Sequence, residues 1–232
     1  MPSGMKQTQQ TIYDETLELL DEIRSKAWLA EGMVDHGYND DSWTLAESLA
    51  STAHDLARAR VVAEANQLGA TDTFNRLYDR TWPQFLWVMQ TSVDVLQGYT
   101  GHLELLGLHE ARLDGNGTSQ ITKPGKSDNA GQTLTWLDNF YEVAINEPNI
   151  AAILTENNVP PDKLARHAAR VQDLKEVHHH KEQAIATKHQ AVKDRDEAFE
   201  ALRPWLRSAQ RTARAVKKEH AAQKKSAVSV EL

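Results

Sequence analysis

The chain reads as an all-α protein, an elongated antiparallel helical bundle with a long C-terminal helix kinked near Pro204. Three observations predict this. About sixty residues from Pro160 to His220 contain no glycine. Apolar residues recur at intervals of three and four, the spacing of one helix face. The 11 glycines and 7 prolines gather at a few sites instead of being scattered. A sixty-residue helix would span roughly 90 Å at ~1.5 Å per residue, far past the usual ~8–20 residues. Such an element is a strut or a coiled-coil arm, not the wall of a compact pocket.

Met1 to Gln10 is polar and reads as a flexible tail. From Ile12 to Val34, Ile12, Thr16, Leu19, Leu20, Ile23, Ala27, Ala30 and Val34 describe one face of a first helix. Gly32 and Gly37 weaken its end, and His36 to Asp41 forms a turn. Thr44-Leu45-Ala46-Glu47 has the form of a capping box, with Asp41 or Ser42 as alternative caps. The second helix continues through Leu45, Leu49, Leu56, Ala59, Ala63 and Leu68 to a stop at Gly69. Asp72 then caps a third helix towards Leu106, with Leu77, Phe85, Val88, Val95 and Leu103 facing the core. Pro83 lies within it and predicts a bend or a short preceding helix. Residues 108–130 have no periodic face and contain Asp114-Gly115-Asn116-Gly117 and Lys123-Pro124-Gly125, which marks a long exposed loop with Ile121 tucked in. Thr133 to Ile145 forms an aromatic-rich helix, and Pro148 separates it from a short one over Asn149 to Glu156. Asn157-Asn158-Val159 turns the chain into the long arm, which begins at Pro160-Pro161-Asp162 because proline fits the first helical turn.

A heptad can be written along the arm. One column holds Val171, His178, Ile185, Val192, Phe199, Leu206 and Ala213; its partner holds Leu174, Lys181, Lys188, Arg195, Leu202, Ala209 and Val216. The basic centre of the second column makes a poor two-stranded seam. Long polar side chains can instead lie along the edge of a wider bundle. Pro204 should kink or break the helix near Ala201 to Arg203. The expected organisation is a single domain over 11–220 and a second tail over 221–232. Trp82, Phe85, Trp87, Trp136, Phe140, Tyr141, Phe199 and Trp205 supply much of the large side-chain packing, some of it towards a partner.

Leu134 to Leu174 places an aromatic-rich helix, a short helix, a turn near a proline and a long helix in succession. The chain ends in Arg195-Asp196-Glu197-Ala198-Phe199-Glu200-Ala201-Leu202-Arg203-Pro204-Trp205 and the Ala213-Arg214 pair. Over roughly the last hundred residues this pattern resembles an uncharacterised bacterial family of long-helix proteins. The resemblance implies a helical fold, departs from the family pattern at Pro204, and supplies no catalytic residue.

Composition narrows the chemistry. Cysteine is absent, which removes disulfides, thiolate catalysis and zinc–thiolate sites and fits a reducing cytoplasm. No signal-peptide pattern opens the chain, no run of eighteen apolar residues occurs, and the expected location is cytoplasmic. The Asn116-Gly117-Thr118 triplet, without an export signal, is a chance glycosylation match. The net charge of -7 conceals a split. Residues 1–161 carry 10 Lys/Arg against 23 Asp/Glu, and residues 162–232 carry 16 against 10. Such asymmetry suits a basic segment that answers an acidic partner, the first candidate being the rest of the same protein.

The motifs that could carry chemistry fail on geometry. His178-His179-His180 cannot converge on one ion from a regular helix, because neighbours point about 100° apart. Glu176 and His179 have the Glu-x-x-His spacing of di-iron bundles, but no second such motif exists. His178 and Glu182 could hold a surface ion. Asp114 to Gly125 resembles a calcium loop but has Ser119 where glycine is required and Gly125 where the bidentate glutamate belongs. No nucleophile elbow, phosphate loop or zincin motif is present, and Asp194 and Asp196 cannot share a helix face.

The stronger signal is Arg203, Arg207, Arg211, Arg214 and Lys218, a stripe at steps of four, four, three and four. Trp205, Leu206, Ala209, Ala213 and Val216 cover a neighbouring face, and Lys217, Lys224 and Lys225 enlarge the patch. The stripe can meet acidic helices of this or another molecule, meet nucleic-acid or lipid phosphates, or face solvent near the helix C-terminus. The sequence lacks a zinc finger, a glycine-rich RNA loop and a basic region ahead of a zipper. The expectation is a non-enzymatic scaffold without metal or cofactor, partnered by itself or by another acidic helical protein. Nucleic-acid or anionic-surface binding, and a helical metalloprotein, are the alternatives.

Overall fold

The computed structural model describes residues 6–111, 120–122 and 129–230. The fold is all-α. Seven helices are described: α1 (Gln7–Ser25), α2 (Ala27–Asp35), α3 (Asp40–Val95), α4 (Thr100–Leu105), α5 (Ala130–Asn146), α6 (Pro148–Glu156) and α7 (Pro161–Val230). A two-stranded ribbon of β1 (His109–Ala111) and β2 (Gln120–Thr122) lies between α4 and α5, with Glu110 opposite Ile121 in antiparallel register. Part of the expected 108–130 loop is therefore paired. The calcium-like turn, the Asn116 triplet and Lys123 to Gly125 lie outside the described residues.

The first helix is two. The chain leaves helical geometry at Lys26, with φ -125° and ψ 93°, and re-enters it at once, so Gly32 lies inside α2. The turn that follows is closed by Gly37, whose φ of +87° favours glycine. Asn39 caps α3: its side-chain oxygen accepts from the Ser42 amide at 3.1 Å. Neither the Thr44 box nor Asp41 or Ser42 serves as the cap.

The second and third helices expected here are one. α3 passes through Gly69 and Pro83 without interruption. A helical glycine costs only about 1 kcal/mol against alanine, and packing of Phe74, Tyr78 and Trp82 on the same helix outweighs it. α7 likewise continues past Pro204, where one backbone hydrogen bond is missing but the helix does not end. The expected tails shorten: helix begins at Gln7 and the described chain is still helical at Val230. Asn129 caps α5 by accepting from the Gly131 and Gln132 amides at 3.0 and 3.3 Å, and Pro148 opens α6.

Packing divides the chain into two compact units where one domain over 11–220 was expected, and α3 and α7 contribute to each. The first unit comprises Met1–Asn66 and Ile185–Leu232. Within it α1 runs parallel to α7, as Gln9–Asp196, Glu15–Gln210 and Glu22–Lys217 pair in ascending order. The α3 segment runs opposite to α7, with Ser42 bonded to Trp205 and Ala53 and Ala57 packed on Phe199. The main cluster joins Leu19, Ile23, Leu29 and Met33 to Leu206, Ala209, Ala213 and Val216.

The core face of α3 here is a seam of alanines, Ala46, Ala50, Ala53 and Ala57, all at most 1% exposed. Leu45, expected inside, is 54% exposed, and Leu68 and Val34 also face out. Small residues admit close helix approach, which Phe199 fills between Ala53 and Ala57.

The second unit is Gln67–Ala184. α3 and α7 run antiparallel, since Phe74 meets His178 and Phe85 meets His167. Its core collects Trp82, Phe85, Met89, Phe140, Tyr141 and Leu164 among others. Trp136 and Trp205 are half-buried, and Trp87, expected in the packing, is 44% exposed. No helix among the described residues is long and apolar enough to cross a membrane.

Candidate functional site

The C-terminal stripe divides by environment. Leu202, Leu206, Ala209, Ala213 and Val216 bury one face of α7. Beside that seam, Arg203 is half-buried and pairs with Glu200 at 2.8 Å. The indole N–H of Trp205 donates to Ser42 Oγ at 3.2 Å. Lys217 donates to Glu22 at 2.7 Å. Hydrogen bonds from Lys217 first and Lys26 second hold the Glu22 carboxyl below its ordinary pKa. Three predicted interaction residues are thus absorbed by the fold of their own unit. Arg207, Arg211, Arg214 and Lys218 are exposed and form no ion pair among the described residues. They follow one another at steps of four, three and four, so they form one row.

The helix α1 carries an exposed acidic row of its own. Asp14, Glu18 and Asp21 are exposed on α1 at steps of four and three. Glu15, Glu18 and Glu22 line one side of a groove of about 220 Å³, with Gln210, Arg214 and Lys217 on the other. Gln210 donates to Glu15 across it at 2.8 Å. Of the two rows, Glu18 and Arg214 line this groove, with Glu15 and Glu22 facing Gln210 and Lys217 across it.

The other acids of interest on α7 are structural. Asp196 accepts from Gln9 at 2.7 Å, from Arg195 at 2.7 Å and from Lys6 at 3.2 Å. Burial raises its pKa, but these three donors outweigh that and hold it below the ordinary value. Asp194 instead accepts from Gln190. The histidine triplet diverges: the His178 ring lies 5.2 Å from Phe74, His179 contacts Gln183 at 2.8 Å, and His180 is exposed. Among the described residues, no three histidines or acids gather closely enough to hold a metal ion.

A second site was not singled out in the sequence. In the Gln67–Ala184 unit, Lys163, Arg166 and Arg170 of α7 and Trp87 of α3 line a cleft of about 420 Å³. Pro83 and Gln84 complete its wall, with His167 at the same level. Lys163 Nζ sits 3.8 Å from the Trp87 ring centroid, a cation–π contact. His167 is 6% exposed and stacks on Tyr141, with centroids 6.0 Å apart and planes 12° from parallel. Its Nδ1, the Gln84 Oε1 and the Tyr141 hydroxyl are all buried without a hydrogen-bond partner among the described residues. Burial, then the charges of Arg170, Lys163 and Arg166, pushes the His167 pKa below its ordinary value. Burial pushes the Tyr141 phenol up. The sequence signal for this cleft is the three-and-four spacing of Lys163, Arg166 and Arg170. That spacing alone does not mark a cleft, because Trp87, the residue that completes it, reads as a core residue.

Comparison with protein-family models, with curated proteins and with solved structures gives no match for this chain.

Proposed function

We propose that the protein is a non-enzymatic scaffold that self-associates through the paired rows of the Met1–Asn66 and Ile185–Leu232 unit, a second copy being its partner. The observation that carries this reading is the groove lined by Glu15, Glu18 and Glu22 of α1 and by Gln210, Arg214 and Lys217 of α7, on helices that also expose Asp14 and Asp21 (α1) and Arg207, Arg211 and Lys218 (α7) without an ion pair among the described residues. Such a patch is self-complementary. A two-fold axis along the groove places the acidic row of each copy over the basic row of the other, the arrangement closed symmetric dimers use. Fixed charges of both signs also favour one register and steer encounter. The same acids disfavour phosphate backbones, because a nucleic acid approaching Arg214 meets Glu15, Glu18 and Glu22 as well.

Light scattering across salt concentration tests the proposal. Exposed charges are screened over about 10 Å at 0.1 M salt and about 3 Å at 1 M, so assembly should weaken steeply over that range. Replacing Arg207, Arg211 and Arg214 by Glu should abolish it. Mixing that variant with one carrying Glu18→Lys and Asp21→Lys should restore hetero-association. A particle that stays monomeric at low salt and high protein concentration, or binds duplex DNA under those conditions, would overturn the reading.

A further inference from the structure

We infer that the cleft between Trp87 and the first turns of α7 is a binding site for a phosphate monoester, its phosphate held by Lys163, Arg166 and Arg170. This site lies in the Gln67–Ala184 unit and does not depend on the self-association reading.

The charge is concentrated and only weakly compensated. None of the described residues lining the cleft is acidic. Arg170 has no ion pair among the described residues. Arg166 meets Asp162 only at 3.5 Å, with both side chains at least 70% exposed, and a pair of that kind contributes little. Lys163 reaches the Asn158 carbonyl at 3.4 Å and otherwise lies over Trp87. Three cations on adjacent turns of one helix, with one weak, exposed carboxylate partner between them, suit a doubly charged group better than a single carboxylate. Guanidinium forks match phosphate oxygens in pairs. Lys163 also stands in the first turn of α7, where the helix dipole favours negative charge.

The remainder of the cleft indicates an organic body attached to that phosphate. A volume of about 420 Å³ falls in the range of small-molecule pockets, and it exceeds what an isolated phosphate fills. Pro83 and the exposed Trp87 ring supply an apolar wall. His167 and Gln84 supply buried polar atoms that lack partners, at the Nδ1 and Oε1 positions. A buried polar group without a partner is unusual in a finished core. A hydroxyl-bearing ligand would provide the missing contacts.

The phosphate could come from a soluble metabolite-sized ester or from a lipid headgroup, and the assay has an arm for each. Phenyl phosphate, inorganic phosphate and phenol are titrated into the full-length protein by calorimetry. In parallel, the protein is sedimented with phosphatidylcholine vesicles with and without phosphatidic acid. Phenyl phosphate should bind saturably at one site, inorganic phosphate more weakly and phenol not detectably. Arg170→Gln and Arg166→Gln should each weaken binding roughly tenfold or more, the effect of losing a charge-assisted hydrogen bond. Arg211→Gln, on the other unit, should leave it unchanged. Sedimentation that requires both phosphatidic acid and Arg170 would support the same site with a lipid source. The inference is overturned if neither phosphate form binds, or if binding survives both cleft substitutions undiminished. Helical circular dichroism of each variant confirms that the exposed substitutions leave the fold intact.

Discussion

Gly32 provides the sharpest test of the packing described for the first unit. A Cβ added there would stand 2.4 Å from Val216 Cγ1, 3.3 Å from Cγ2 and 3.4 Å from Cβ. Carbon atoms in contact prefer about 3.5–4.0 Å, so the Gly32→Ala change requires a shift of about 1 Å. Val216 cannot easily provide it. A β-branched side chain in a helix is confined largely to one rotamer, and Val216 is 3% exposed within the cluster of Leu29, Met33 and Ala213. Overpacking of this kind costs about 1–3 kcal/mol, while the helical preference of alanine over glycine returns about 0.5–1 kcal/mol. The net expectation is a loss of about 1–2 kcal/mol.

The control is built into the same chain. Gly69 is also helical, but nothing lies within 4 Å of its hypothetical Cβ, so Gly69→Ala should gain about 0.5–1 kcal/mol. The two identical chemical changes are thus expected to have opposite signs in denaturant unfolding followed by circular dichroism. Val216→Ala removes both offending methyl groups, and in that background Gly32→Ala should cease to destabilise. The resulting coupling between positions 32 and 216 is about 1–3 kcal/mol, well above the scatter of independent sites. A Gly32→Ala protein as stable as the parent, or one equally damaged in the Val216→Ala background, would refute the contact between α2 and α7.

Two further outcomes can be measured in the same way. Gly107 has φ +71°, and a Cβ there would lie 2.6 Å from the Trp136 Nε1 that donates to its own carbonyl at 3.2 Å. Gly107→Ala should therefore lower stability by about 2–3 kcal/mol, read as a lower unfolding midpoint. His167 and His178 both have folded-state pKa values below the ordinary 6.5, burial being the first cause in each and nearby cations the second. The unfolded chain therefore binds these protons more readily, and stability is full above about pH 6.5 and declines below it by at most ~1.4 kcal/mol per pH unit per histidine. Replacing both by Gln should flatten that slope in a pH series of unfolding curves, and an unchanged slope would contradict the burial.

The heptad of the long arm was legible because it depends on spacing alone. Val171, Leu174, Phe199, Leu202, Leu206, Ala209, Ala213 and Val216 are all buried, and the polar centre of the columns, from His178 to Val192, is only half-buried. Arg195 shows how a cation can occupy such a column: it is 4% exposed and turned onto Asp196. Helix ends were harder to read. Gly69 and Pro83 are local signals, and their cost is small beside the packing of Phe74, Tyr78 and Phe85 on the same helix. The face of α3 differs from the expected one for another reason. Hydrophobicity ranks Leu45, Leu49 and Leu56 above the neighbouring alanines, but the close approach that buries Ala46, Ala50, Ala53 and Ala57 depends on size.

The candidate sites illustrate why charge counted along a sequence is an incomplete guide to partners. The positive balance of the last 71 residues first reads as a single basic surface. In the fold it becomes two environments with different electrostatic neighbours. Around Arg214 and Lys217 the acids Glu15, Glu18 and Glu22 of α1 lie alongside, so the local field alternates in sign and suits another alternating surface. Around Lys163, Arg166 and Arg170 the lining holds no acid, and an aromatic and a proline exclude water from part of the wall. A concave, partly apolar setting strengthens each cation's interaction with a bound anion relative to the same residue in open water. The same residue types therefore point to a protein surface in one unit and to a phosphate in the other, and what decides between them is the neighbouring helix, α1 or α3.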